Sequence, residues 1–115
     1  MKKLSDQEAK DLIAQSKNLV VIDFWATWCP SCQVLLPKLE ELQKENETVD
    51  IVKIDVDSDP LLAQEHGVRG IPTLLFYKDG KLLDTLVGNQ PKDKLQELLD
   101  KYSKDQEKLS LEEDF

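Results

Sequence analysis

Cys29 and Cys32 are the only two thiols in the chain, and two residues separate them. That spacing fits within one helical turn, so the sulfurs can pair with little backbone movement. Such a pair supports thiol–disulfide exchange, in which a thiolate attacks a disulfide sulfur and a second thiol completes the exchange. The same spacing also fits half a zinc site, a structural disulfide or two ordinary core thiols. Structural zinc takes about four ligands, whereas His66 is the one histidine and no second cysteine pair exists. The ligand count therefore favours redox chemistry, with no metal and no cofactor expected. The pair follows an apolar run and opens a helical pattern. There the free N–H groups and the helix dipole favour a thiolate at Cys29, the expected nucleophile. Cys32, one turn inside, is less exposed and suits a resolving role.

The elements that must hold this pair are readable in order. Ser5 with Glu8 three positions later has the form of a capping box for a helix over about residues 5–16, with Leu12 and Ile13 on its apolar side. Residues 19–26 form a nearly unbroken apolar run of strand length, suited to a central strand covered on both faces. Asp23 is its one charged member. Val34, Leu35, Leu36, Leu39 and Leu42 recur at helical spacing as far as about Glu45, and Pro37 is expected to kink that helix. Residues 49–56 read as a second buried strand. Asp57, Ser58, Asp59 and Pro60 are expected to cap and open a short helix ending at His66 and Gly67. Residues 73–78 and 81–87 are strands joined by the hairpin turn Asp79-Gly80. Pro91 opens a last helix with Leu95, Leu98 and Leu99 inward. The fold class is α/β, a mixed sheet covered on both faces.

The chain has 115 residues, enough for one domain with its own core. Its net charge of −8 disfavours binding to nucleic acid or anionic membranes. Between residues 103 and 115 five acids face two lysines, contributing three of those eight charges, and a solvated acidic tail is expected there. Met1-Lys2-Lys3 is followed by Leu4-Ser5-Asp6-Gln7-Glu8, not by an apolar stretch, so no secretory leader is read. No run approaches the roughly 18 apolar residues of a membrane span. The expected location is the cytoplasm, where a permanent structural disulfide is uncommon.

Several separated segments resemble the thioredoxin family. Phe24-Trp25-Ala26-Thr27-Trp28-Cys29-Pro30-Ser31-Cys32 is similar to its active-site segment, and Gly67-Val68-Arg69-Gly70-Ile71-Pro72-Thr73 to its cis-proline loop. Lys78-Asp79-Gly80 and Val87-Gly88 fall where that family has its final hairpin and a substrate-lining glycine. The match extends from the first helix to about Tyr102, so residues 1–102 are read as the domain and 103–115 as an acidic tail or helix extension. The resemblance implies a central mixed five-stranded sheet flanked by four helices, with the hairpin strands antiparallel to the rest. It also implies a protein disulfide reductase: Cys29 attacks the substrate to give a mixed disulfide, Cys32 releases the product, and a thioredoxin reductase restores the dithiol. A monomer is expected.

A carboxylate amid apolar neighbours loses hydration, so the Asp23 pKa should rise. Such an acid near the cysteines can carry the proton that Cys32 gives up. The resemblance places a buried acid at Asp23 and a lysine at Lys53; the other reading of Asp23 is an exposed residue at a bulge. It further implies a cis bond before Pro72. Trp28, Ile71, Pro72, Val87 and Gly88 would then form an apolar patch around Cys29 suited to flexible partners, and with Pro30, Ser31 and Gly70 the substrate surface. Trp25 is expected to pack, and His66 to sit solvated at a helix end. The usual intervening pair in the family is Gly-Pro, whereas here it is Pro30-Ser31. Pro30 removes an N–H near Cys29 and Ser31 brings a hydroxyl. A potential more oxidising than the roughly −270 mV of an ordinary thioredoxin is therefore expected. Two other readings stand beside this one: a partner-binding module in which redox is secondary, and a glutaredoxin-like exchanger, whose first intervening residue is also proline.

Overall fold

The alternation of apolar strands and amphipathic helices folds as the pattern requires. A computed structural model describes residues 1–113, with side chains described through Ser103. The elements in chain order are β1 (Lys2–Lys3), α1 (Asp6–Gln15), β2 (Leu19–Trp25), α2 (Pro30–Glu45), β3 (Val49–Asp55), α3 (Leu61–Glu65), β4 (Thr73–Lys78), β5 (Lys81–Val87) and α4 (Lys92–Glu113). The five strands form one mixed sheet in the order β1-β3-β2-β4-β5. β1 and β2 run parallel to β3, β4 runs antiparallel to β2, and β5 antiparallel to β4. The mixed five-stranded sheet and its four helices match the implied architecture, with one correction: only β4 runs against the other strands, because β5, antiparallel to β4 across their tight turn, points the same way as β1, β2 and β3.

Successive side chains of a strand point to opposite faces, and the two faces carry separate cores. Leu19 and Val21 join Val49, Ile51, Leu74 and Phe76 against Leu35, Leu39 and Leu42 of α2 and Leu95 and Leu99 of α4. Val20, Ile22 and Phe24 join Val52, Ile54 and Leu75 against Ala9 of α1 and Leu62 and Ala63 of α3. β2 is central and apolar on both faces, as its unbroken run predicts. By the same alternation Asp23 and Lys53 point to the α2 face.

Local signals account for most boundaries. The Ser5–Glu8 capping box is present in both directions, and Asp79 and Gly80 both take positive φ, 52° and 76°, as a tight hairpin turn requires. α2 continues through Pro37. Val34 is a correction: it lies on the outer side of α2 and is exposed, because it falls a third of a turn off the Leu35–Leu39–Leu42 stripe.

The start of α3 is a second correction. No side chain of the 57–60 segment caps it. The carboxylate of Asp6 instead accepts the N–H groups of Leu61 (3.2 Å) and Leu62 (2.9 Å), while Asp59 Oδ1 accepts the Asp6 N–H at 3.1 Å. His66 is a third. It is half-buried, its Nδ1–H donates to the Leu62 carbonyl at 2.8 Å, and its Nε2 accepts from the Tyr77 hydroxyl. The ring thus ties α3 to β4 instead of facing solvent. β1 has no counterpart in the sequence reading, since two lysines carry no strand signal. α4 runs on to Glu113, and the expected solvation of the tail lies outside the described side chains.

Candidate active site

β2 delivers the chain to the cysteines just beyond the end of the sheet's central strand. Its last residue is Trp25, a short turn follows in which the Cys29 N–H donates to the Ala26 carbonyl at 3.3 Å, and α2 starts at once. Cys29 is the N-cap of α2 and Pro30 its first residue, where proline's missing N–H leaves no bond unmade. The cap is the sulfur itself: the Cys32 N–H donates to Cys29 Sγ at 3.2 Å. Cys29 and Cys32 are bonded to each other across a Cα–Cα distance of 5.3 Å. Cys29 is 4% exposed and Cys32 1%, so the order of accessibility is as expected, although even Cys29 is nearly covered.

Two further groups reach Cys29. The Ser31 hydroxyl lies 3.5 Å from its sulfur, a donor well placed to stabilise negative charge there once the disulfide opens. The carbonyl of Ile71 is 3.8 Å away on the other side. The Ile71–Pro72 bond is cis, as the resemblance implied. The loop is anchored by the Thr73 hydroxyl donating to the Gly70 carbonyl at 2.6 Å and by the Gly88 N–H donating to the Pro72 carbonyl at 2.8 Å. Gly88 has φ 93°, a conformation that glycine adopts freely. Pairing of Thr73 with Val87 brings the end of β5 to the same rim.

The expected surface is assembled, with one exception. Trp28 (65% exposed) and Val87 (62%) stand out from the rim, Pro30, Ser31 and Gly70 are exposed, and Ile71 and Gly88 are half-buried. Pro72 is buried, with its carbonyl accepting the Gly88 N–H, so it is not part of the exposed surface. Trp28 is held upright by its Nε1–H donating to Asp57 Oδ2 at 2.8 Å. No sequence signal links those two residues.

Asp23, two residues before the end of β2 and on its α2 face, is fully buried. It sits in regular register between Lys53 of β3 and Leu74 of β4, and the sheet's one irregularity falls at Phe76/Tyr77, so the bulge reading is excluded. Neither carboxylate oxygen has a hydrogen-bond partner among the described residues. Burial pushes its pKa up to about 7, and the Lys53 charge opposes that rise. The Lys53 ammonium sits 4.8 Å from the centre of the Trp25 ring rather than forming an ion pair with Asp23. Trp25 packs against Ala26, Cys29 and Cys32, as expected. The described residues contain no group of three or more potential metal ligands.

Comparison with known proteins agrees with this geometry. A family model described as "Thioredoxin" matches residues 1–101. Thioredoxin from Listeria monocytogenes is 49% identical over 88 residues, covering 76% of this chain and 85% of that protein. Thioredoxin from Staphylococcus aureus is 45% identical over 101 residues, covering 87% and 95%. The structure of Fasciola hepatica thioredoxin superposes with a TM-score of 0.82 at 36% identity, covering 88% of this chain and 98% of that one. With the Cys29–Cys32 pair, these relatives make the protein a thiol–disulfide oxidoreductase, and a reading in which binding is primary is not favoured. The chain belongs to the thioredoxin family.

Proposed function

We propose that the protein is a cytoplasmic protein disulfide reductase in which residues 1–102 carry the activity and Cys29 is the attacking thiolate. The Cys29 sulfur attacks one sulfur of a substrate disulfide; the substrate S–S bond breaks, one substrate thiolate leaves, and a mixed disulfide remains on Cys29. Cys32, deprotonated, then attacks Cys29 Sγ, the second substrate thiolate leaves, and the protein is left with its Cys29–Cys32 disulfide. The substrate gains two electrons and the protein loses two. A thioredoxin reductase returns them.

The observation that supports these roles most directly is the N-cap geometry, in which Cys29 Sγ receives the Cys32 N–H. That N–H and the helix dipole stabilise the Cys29 thiolate selectively. The Cys32 thiol lies deeper and needs a base. Asp23, buried on the α2 face with a pKa near 7, is suited to take that proton and pass it to the leaving thiolate. Lys53 acts as a positioning charge that keeps this acid from becoming permanently neutral. Trp28, Ile71, Val87 and Gly88 hold the substrate segment, with Pro72 fixing the loop.

The test is reduction of a test protein disulfide by dithiothreitol, and by NADPH with a thioredoxin reductase. Catalysis in both assays, lost in Cys29→Ser, is the expected result. Failure to accelerate either assay would leave only the coarser assignment of oxidoreductase.

A further inference from the structure

Next to Cys29 the surface drops into a groove of about 260 Å³ whose walls include Trp28, Val56, Ala63, Val68, Arg69 and Ile71. Among the described residues that line it, Arg69 alone is charged. It is exposed and takes part in no hydrogen bond or ion pair among the described residues. The acids next in sequence to the lining residues Val56, Pro60 and Gln64 each have a partner. Asp57 receives the Trp28 indole N–H at 2.8 Å, Asp59 receives the Asp6 N–H at 3.1 Å, and Glu65 pairs with Lys10 at 2.9 Å. A chain of net charge −8 therefore presents one unengaged cation at an apolar groove beside its reactive sulfur.

We propose that Arg69 selects protein disulfides flanked by an Asp or Glu side chain over those flanked by Lys or Arg. The inference rests on the disulfide-reductase reading above and names a substrate class for it. The apolar walls take the substrate's neighbouring side chain. The guanidinium, a planar fork matched to a carboxylate, takes the acid. Because the rest of the protein repels acids at long range, the preference is local and short-ranged, and it belongs to this one residue.

Three disulfide peptides identical except for a flanking Glu, Gln or Lys test this, read as kcat/KM with dithiothreitol as reductant. The full-length protein is compared with Arg69→Gln, Arg69→Glu and the charge-matched Lys81→Glu, which lies at the far end of the β4–β5 hairpin. The acid-flanked peptide is expected to exceed the lysine-flanked one by about fivefold at low salt, the size of an exposed ion pair. Arg69→Gln brings that ratio near one, Arg69→Glu inverts it, and Lys81→Glu leaves it standing. An unchanged ratio in Arg69→Glu, or an equal change in Lys81→Glu, overturns the proposal. Reduction of none of the three peptides by the wild-type protein would instead overturn the reading of function on which it rests.

Discussion

Asp23 shows how much one residue's environment can decide. A carboxylate normally loses its proton near pH 3.8, yet burial without partners lifts this one to about 7. Its folded pKa lies above its unfolded value, so the native state holds a proton that the unfolded chain has already lost between about pH 4 and 7. Stability from this group is therefore present at low pH and lost as pH rises through that window. Over it, the stability of Asp23→Asn relative to wild type should rise by about 4 kcal/mol, three pKa units of linkage. Urea denaturation at pH 4 and pH 8 measures this, and a pH-independent difference would show that the acid titrates normally. The variant should also reduce substrate more slowly at neutral pH. Ser31 acts at the same scale. We propose that its hydroxyl, 3.5 Å from Cys29 Sγ, stabilises the Cys29 thiolate and hence the dithiol form, so Ser31→Ala should lower the potential by about 10–20 mV, the worth of one weak hydrogen bond. Equilibration with a glutathione buffer reads this, and a rise on substitution would contradict it. Asp23 was legible because a charge in an apolar run stands out. The depth of Pro72 was not, because a motif names a residue without saying which side of the rim it occupies.

Elements were legible where their signals are local. The Ser5–Glu8 box, the apolar β2 run and the Asp79-Gly80 turn each lie within a few residues of what they shape, and each forms as its local chemistry directs. The opening of α3 depends on Asp6, 55 residues away from Leu61, and no window along the chain contains both. Asp6→Ala leaves two α3 N–H groups unsatisfied and should cost about 1–2 kcal/mol. Amide exchange at Leu61 and Leu62 should quicken more than elsewhere, and exchange unchanged at those two sites would remove Asp6 from the cap. β1 is invisible for a related reason: Lys2 and Lys3 pair with Val52 and Lys53 through backbone alone. The part of the β3 edge that β1 does not reach is covered by Gln43, whose amide NH2 donates to the Val49 carbonyl and whose amide oxygen accepts the Ile51 N–H, both at 2.7 Å, in place of a strand. A side-chain amide pair, Asn46 with Gln96 at 2.9 Å in both directions, fastens the end of α2 to α4.

For the molecule as a whole, the order β1-β3-β2-β4-β5 puts the reactive pair, the buried acid and the cis-proline loop at one end of the central strands. That convergence is absent from any single motif and came to the sequence reading only through a family resemblance. The family match ends at residue 101 although α4 continues to Glu113. We propose that the acidic end is dispensable to the chemistry, so a chain stopped after Ser103 should keep its reductase rate within about twofold; a larger loss would extend the functional unit to the end of α4. The central claim is that Cys29 attacks and Cys32 resolves. Its most direct measurement is mass spectrometry of Cys32→Ser and Cys29→Ser after incubation of each reduced variant with a disulfide protein. A stable mixed disulfide through Cys29 is expected in the first variant and none in the second. Trapping through Cys32 in Cys29→Ser, with none in Cys32→Ser, would contradict it.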